Sequence, residues 1–195
     1  MSGQLIYKDE DQRPYIDDKR VLSVTDVLKI NGLYDGFPVS DYFLWVGQAR
    51  HKVVELWVKG TLDMKTVHAD ILPSLEAYLE FENKTGFKAL PDGIEKKVWN
   101  PALQLATRLD LLGKFPDGAE VIVELKSGSV AKPTAWQTAG QDIALGGPRR
   151  KRYGLSVPKT GRPNVKAFTS SDDYVMFMSF VNVARCKMEV LNLSL

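Results

Sequence analysis

The sequence predicts an α/β (α+β) domain built around a mixed sheet of about five strands, on three observations. Helical periodicity runs through residues 20–90, apolar–polar alternation takes over from residue 93, and two later helical segments interleave with strands. The order helices, three strands, helix, two strands, helix requires strands of both directions with helices flanking them.

The 195 residues, 44% hydrophobic and 26% charged, suffice for one well-packed domain over 1–195, mainly helical in 1–90 and sheet-centred in 91–195. A net charge of +2 excludes a histone-like polycation, so nucleic-acid affinity has to come from local clusters of Lys and Arg. One cysteine, Cys186, excludes an internal disulfide and a four-cysteine metal site, and fits a reducing cytoplasm. MSGQLIYKDEDQRPY carries no apolar run suited to a signal peptide, and no window approaches the ~18 apolar residues of a membrane span. A soluble, cytoplasmic protein with no membrane partner is expected.

Each element has a local reason. Residues 1–20 are polar and read as an irregular or extended lead-in. Ser23 with Asp26 three positions on has the form of a capping box before the short helix VTDVLKI, which Asn31-Gly32 ends. Ser40 is placed to cap a longer helix, DYFLWVGQARHKVVELWVKG, with Phe43, Leu44, Val54 and Trp57 at helical spacing. A third helix spans about 64–81, kinked or interrupted at Pro73 and ended by Lys84-Thr85-Gly86. GIEKKVWNP alternates as a strand, and a hairpin over 107–128 follows. KPTAWQTAGQDIAL reads as a helix with Pro133 at its start, RKRYGLSVPKTG and NVKAFTS as strands, and SDDYVMFMSFVNVARCKMEVL as a capped amphipathic helix. Trp45, Trp57 and Trp99 are expected in the core.

The hairpin carries the chemistry. Pro116-Asp117-Gly118 fits a three-residue loop, which sets Phe115 opposite Ala119. That register pairs Asp110 with Glu124, Leu112 with Ile122, Lys114 with Glu120 and Arg108 with Lys126 on one face. The other face, Leu109, Leu111, Gly113 and Phe115 against Ala119, Val121, Val123 and Leu125, lacks any charge. A two-residue loop would mix the faces, so it is disfavoured. Asp110 and Glu124 then stand as direct neighbours with Cβ atoms roughly 4.5–5.5 Å apart. Carboxylates that close repel unless they are protonated, separately hydrogen-bonded or bridged by a cation such as Mg²⁺ or Mn²⁺. Lys126 points to the same side and can polarise water or stabilise an anionic transition state. An ordinary amphipathic hairpin with a solvated acidic face satisfies the same spacing.

Asp110, a turn, and Glu124-Leu125-Lys126 at the end of the next strand resemble the PD-(D/E)XK nuclease motif. Gly47-Gln48-Ala49-Arg50-His51 is similar to the G-x-x-x-H element of the RecB-like and lambda-exonuclease-like branch. IEKKVW with Glu95 is similar to an acidic strand of that branch, and Gln137 to the start of its Gln-x-x-x-Tyr helix. The similarity covers roughly residues 20–180 in order. It departs where Gln141 replaces the tyrosine, where Leu109 replaces the proline before Asp110, and where the four cysteines of iron–sulfur relatives are missing.

The resemblance implies a restriction-endonuclease-like core and a metal-dependent DNA exonuclease of phage or bacterial recombination and repair. It assigns Asp110, Glu124 and Lys126 as catalytic, with Mg²⁺ or Mn²⁺ bound by His51, Asp110, Glu124, the Leu125 carbonyl and, more weakly, Glu95. Closeness of the His51 helix through Gly47 is part of that reading. No iron–sulfur cluster is expected. Gln137, Arg149, Arg150 and Arg152 are the candidate DNA contacts, Arg149 to Arg152 being the densest basic run, followed by Lys159, Arg162 and Lys166. DNA is the implied partner, with a single-strand annealing protein and a homo-oligomer as family-level expectations. An endonuclease of the same fold and a non-catalytic DNA-binding module are the alternatives.

Overall fold

The computed structural model describes residues 4–8, 12–34, 41–158 and 162–191; Ser40 and Lys159 lie outside them. The lead-in is more ordered than expected. Strands β1 (Leu5–Tyr7), β2 (Pro14–Ile16) and β3 (Lys19–Arg20) form an antiparallel three-stranded sheet. Asp17 and Asp18 turn β2 into β3 as a two-residue loop with φ values of 48° and 59°. Both residues of a type I′ turn need positive φ, and aspartate tolerates it better than most.

β4 (Leu22–Ser23) leads into α1 (Val24–Ile30), where the expected capping box forms: Ser23 Oγ accepts from the Asp26 N–H at 3.0 Å, and Asp26 accepts from the Ser23 N–H at 3.2 Å. α2 spans Asp41–Val58. The third helix does not start at Met64. A 3₁₀ turn (Met64–Thr66), started by Asp63, stands apart from α3 (Leu72–Thr85), and Pro73 opens α3 rather than bending it. Proline's missing N–H costs nothing in a first turn, where that group has no helical partner.

β5 (Lys88–Asn100), β6 (Leu105–Lys114), β7 (Glu120–Lys126), β8 (Lys151–Ser156) and β9 (Asn164–Ala167) join β4 in a six-stranded mixed sheet, interleaved with α4 (Pro133–Leu145) and closed by α5 (Asp172–Val190). β6 runs antiparallel to β5 and β7, β8 is parallel to β7, and β9 is antiparallel to β8. The hairpin has the expected register: Lys114 faces Glu120 and Leu112 faces Ile122. Its loop closes through Phe115 N–H to Ala119 O at 3.1 Å, with Gly118 at φ 82°.

One face of the sheet packs against α2 and α3, through Val53, Val54, Leu75, Tyr78 and Phe81 on Leu111, Val121, Val123 and Leu125. The other carries α1, α4 and α5, through Val27, Leu28, Ala139, Phe177 and Val181. The hairpin is therefore central and covered on both sides, which excludes the alternative of an ordinary amphipathic hairpin with a solvated face: Leu112 and Ile122 are buried with Leu109 and packed by Leu145. α5 differs too, since Ser171 gives no side-chain cap; the Asp172 N–H donates to Ser170 Oγ at 3.2 Å instead. The tryptophan expectation fails in part. Trp45 is 54% and Trp57 38% exposed, and Trp99 is half-buried. Among the described side chains of α2, Val46, Val53 and Val54 are buried in the core against the sheet, with Ala49 and Val58 packed beside them.

Candidate active site

The site forms where strands part. β5 lines one edge of β6 from Leu105 to Lys114. The opposite edge is shared: β4 pairs at Leu105 and Ala106, and β7 pairs only from Leu111 onward. Between them, Thr107 to Asp110 has no strand partner on that edge among the described residues. The expected Asp110–Glu124 and Arg108–Lys126 rungs fall in this gap, beyond the last rung at Leu111–Val123. Asp110 fills it with its side chain, Oδ2 accepting from the Leu125 N–H at 2.7 Å. Of the three escapes open to two adjacent carboxylates, the structure shows separate hydrogen bonding.

Glu124 is turned into α4. Its Oε1 accepts from Lys126 Nζ at 2.9 Å and from Gln137 Nε2 at 2.7 Å, and its Oε2 accepts from Gln141 Nε2 at 2.7 Å. Lys126 Nζ also donates to Gln137 Oε1 at 2.9 Å and lies 5.5 Å from the centre of the Tyr34 ring. The Tyr34 hydroxyl donates to that same Gln137 oxygen. Gln137 and Gln141 lie four apart on α4, so one helical face aims both amides at one carboxylate. Burial and then the Asp110 charge push the Glu124 carboxyl up, against Lys126 and Gln141. Burial would lower Lys126, but Glu124, Tyr34 and Asp110 outweigh it, and the amine is held cationic.

His51, on α2, brings Nδ1 to 3.7 Å from Asp110 Oδ1. Burial, the largest single influence, acts to lower the imidazole pKa, but the charge and hydrogen bond of Asp110 together with the Glu124 charge outweigh it and leave it raised. For Asp110 itself, burial is overcome by His51, Lys126 and the Leu125 N–H, so its carboxyl sits below the usual range. Glu95 pairs with Arg108, Nε to Oε2 at 2.9 Å. Burial and then Asp110 push it up to about 7, with Arg108 opposing. Its φ of 50° places a side chain in the left-handed region, a strained conformation beside the site. His51 and Lys126 keep 31% and 22% of their side-chain surface exposed, so a substrate can reach both.

The other candidates divide. Gln137 is buried in the Glu124–Lys126 network, which corrects its reading as a surface DNA contact. Arg152 is 2% exposed and bound to Asp173 at 3.1 Å, to Ala135 O and to Ser170 O; it is a buried strut, and reaching a phosphate would break all three contacts and leave Asp173 with Lys132 alone. Arg150 is turned inward to Glu120 and Asp142. Only Arg149 of the three presents its side chain, 60% exposed, with its guanidinium over the Tyr174 ring. Gly47 allows no unusually close approach: a Cβ there would lie 3.6 Å from Ser127 Oγ, an ordinary contact. The α2 tie to the site comes instead from Arg50, whose Nη1 donates to Ser127 O at 3.1 Å. Gln141 and Tyr34 are members of the site that the sequence alone does not assign. The i, i+4 spacing from Gln137 could have flagged the first; nothing local flags Tyr34, which follows a helix break.

A divalent cation fits part of this arrangement. Two ligands each about 2.1 Å from an ion lie at most about 4.2 Å apart, and the His51–Asp110 separation falls within that reach. Among the described residues, no three His, Cys, Asp or Glu side chains are gathered closely enough to hold an ion by themselves. Glu124 would have to exchange an amide donor for the ion.

No protein-family model and no curated protein sequence matches the chain. Among solved structures, it superimposes on a candidate exonuclease from Eubacterium rectale with a TM-score of 0.54, over 86% of this chain and 79% of that one, at 10% identity. An alkaline exonuclease from Laribacter hongkongensis gives 0.48 over 87% and 88%, at 11% identity. The first likeness establishes a shared fold: a mixed sheet flanked by helices. No described helix is long and apolar enough to cross a membrane.

Proposed function

We propose that this protein is a divalent-metal-dependent deoxyribonuclease that hydrolyses DNA from its ends, in the setting of recombination or repair. The observation that carries the reading is the partly exposed Lys126 ammonium, held against Glu124 and Gln137 beside the Asp110–His51 pair. Asp110 and His51 would hold the cation, with the Leu125 carbonyl and Glu124 as the further oxygen donors. A bound cation would supply Lewis-acid polarisation of a phosphate and an acidified water. The chain's own part is placement. An ammonium has three N–H donors, and Glu124 and Gln137 use two, which leaves the third to be shared among the Tyr34 hydroxyl, a water and a phosphate oxygen. Lys126 stays charged and thereby stabilises negative charge as it develops on the phosphorus centre. Arg149, 60% exposed although its guanidinium lies 3.9 Å from Asp142, would contact a backbone phosphate.

The test is digestion of linear duplexes labelled at the 5′ or the 3′ end, with Mg²⁺ or Mn²⁺ and a covalently closed circle as control. Expected is nucleotide release from one end with the circle intact, lost in chelator and in folded Asp110→Ala and Lys126→Ala variants. A cut circle makes the protein an endonuclease. Binding without release from any substrate makes it a DNA-binding module.

A further inference from the structure

We propose that Tyr34 is a positioning residue for the Glu124–Lys126 pair, acting through the carboxamide of Gln137; the inference rests on the nuclease reading above. Tyr34 comes from the segment after α1, 103 residues before Gln137 in the sequence. Its hydroxyl donates to Gln137 Oε1 and its ring lies beside Lys126 Nζ at 5.5 Å. Gln137 is buried and has two ends with opposite demands. Its oxygen faces a hydroxyl and an ammonium, and its nitrogen faces a carboxylate oxygen. Turned over, the amide would set N–H groups against the ammonium and an oxygen against the carboxylate. The Tyr34 hydroxyl, as a second donor to Oε1, fixes the productive orientation.

The consequences reach both reacting groups. With Gln137 fixed, Nε2 holds Glu124 Oε1 while Gln141 holds Oε2, so the carboxylate cannot rotate. Lys126 is held at three points, by Glu124 Oε1, Gln137 Oε1 and the Tyr34 ring, an attraction between cation and aromatic face. Four residues on from Gln137, where the resembling motif has tyrosine, stands Gln141. A tyrosine is present in the site nonetheless, supplied from the other end of the chain.

Tyr34→Phe removes the hydroxyl and keeps the ring; Tyr34→Leu removes both. Steady-state digestion of an end-labelled duplex is read as kcat and KM separately. The Gln137 side-chain amide and Lys126 ammonium signals are followed by ¹⁵N resonance on the same proteins, with a thermal melt to show that each is folded. Expected is a kcat loss of about tenfold in Tyr34→Phe and about a hundredfold in Tyr34→Leu, with KM unchanged and the Gln137 and Lys126 signals displaced. Gln137→Met should displace the Lys126 signal likewise, and adding Tyr34→Phe to it should cost nothing further. A Tyr34→Phe protein with wild-type kcat and unmoved signals overturns the proposal. So does a loss confined to KM, which would make Tyr34 a substrate contact. If the wild type releases no nucleotide, the nuclease reading falls alone, and the resonance shifts by themselves decide the role of Tyr34. Should Tyr34→Phe not fold, the same kinetic and resonance readings on Tyr34→Leu decide it.

Discussion

Glu95 should make the metal-free protein lose stability as pH rises through the weakly acidic range. Burial, reinforced by Asp110 and opposed by Arg108, lifts its carboxyl from an ordinary value of 4.5 to about 7. The folded state thus binds a proton more tightly than the unfolded chain. Below pH 4.5 both states are protonated and there is no penalty. Between 4.5 and 7 the unfolded chain ionises first, which favours unfolding. Above 7 the penalty is constant. At about 1.4 kcal/mol for each tenfold in proton affinity, the full penalty is about 3 kcal/mol, an upper bound because 26% of the side chain is exposed. Glu95→Gln keeps an acceptor for Arg108 and removes the titration. In urea denaturation of metal-free protein at pH 4, 5.5, 7 and 8.5, the variant should gain on the wild type through the window by about 2–3 kcal/mol and then hold level. A gap that stays flat across those pH values, or a variant weaker at pH 8.5, would refute the reasoning and return Glu95 to an ordinary surface pair.

Two further outcomes follow from packing. Arg152→Met should cost about 1.5–3 kcal/mol in chemical denaturation by removing the partner of Asp173 Oδ2, with Lys132 still pairing Oδ1, and Arg152→Met with Asp173→Leu should restore much of it. Gly140→Ala on α4 would set a Cβ 2.5–2.8 Å from three ring carbons of Phe177 on α5. Overpacking of about 1–3 kcal/mol should exceed the helix-propensity gain of about 1 kcal/mol, lowering the melting temperature, and Phe177→Leu in the same chain should relieve it.

The sequence was most legible where a local rule has one solution. The capping box at Ser23 and Asp26, the left-handed glycine in the 116–118 loop and the register it imposes all stand in the structure. It was least legible where long-range packing decides. Arg152 belongs to a basic run that reads as a phosphate track, yet the Asp173 carboxylate, brought over by α5, turns it inward. The pairing of β1 to β3 depends on short strands that polar composition conceals. Of the site, Asp110, His51, Glu124 and Lys126 do converge, but two of its members escaped notice. Gln141 read as a departure from a motif, and Tyr34 as the residue after a helix break. Nothing in either stretch announces a partner more than a hundred residues away for Tyr34, or a carboxylate on the neighbouring strand for Gln141.

The parting of β6 from β7 explains why these groups can share a site at all. Had the ladder continued one rung past Leu111–Val123, Asp110 and Glu124 would face each other as buried carboxylates with no room for separate donors. Ending the ladder there forfeits backbone hydrogen bonds, since among the described residues Thr107 to Asp110 has no strand on that edge. Side chains recover part of the loss: Asp110 takes the Leu125 N–H, and Gln141 Nε2 reaches to 3.5 Å from the Arg108 carbonyl while holding Glu124. Each substitution of side chain for backbone ties the sheet's integrity to a residue of the site. Asp110 is thus both an acid of the site and the closure of a gap in the sheet, which is why loss of activity in Asp110→Ala carries weight only alongside proof that the hairpin still pairs.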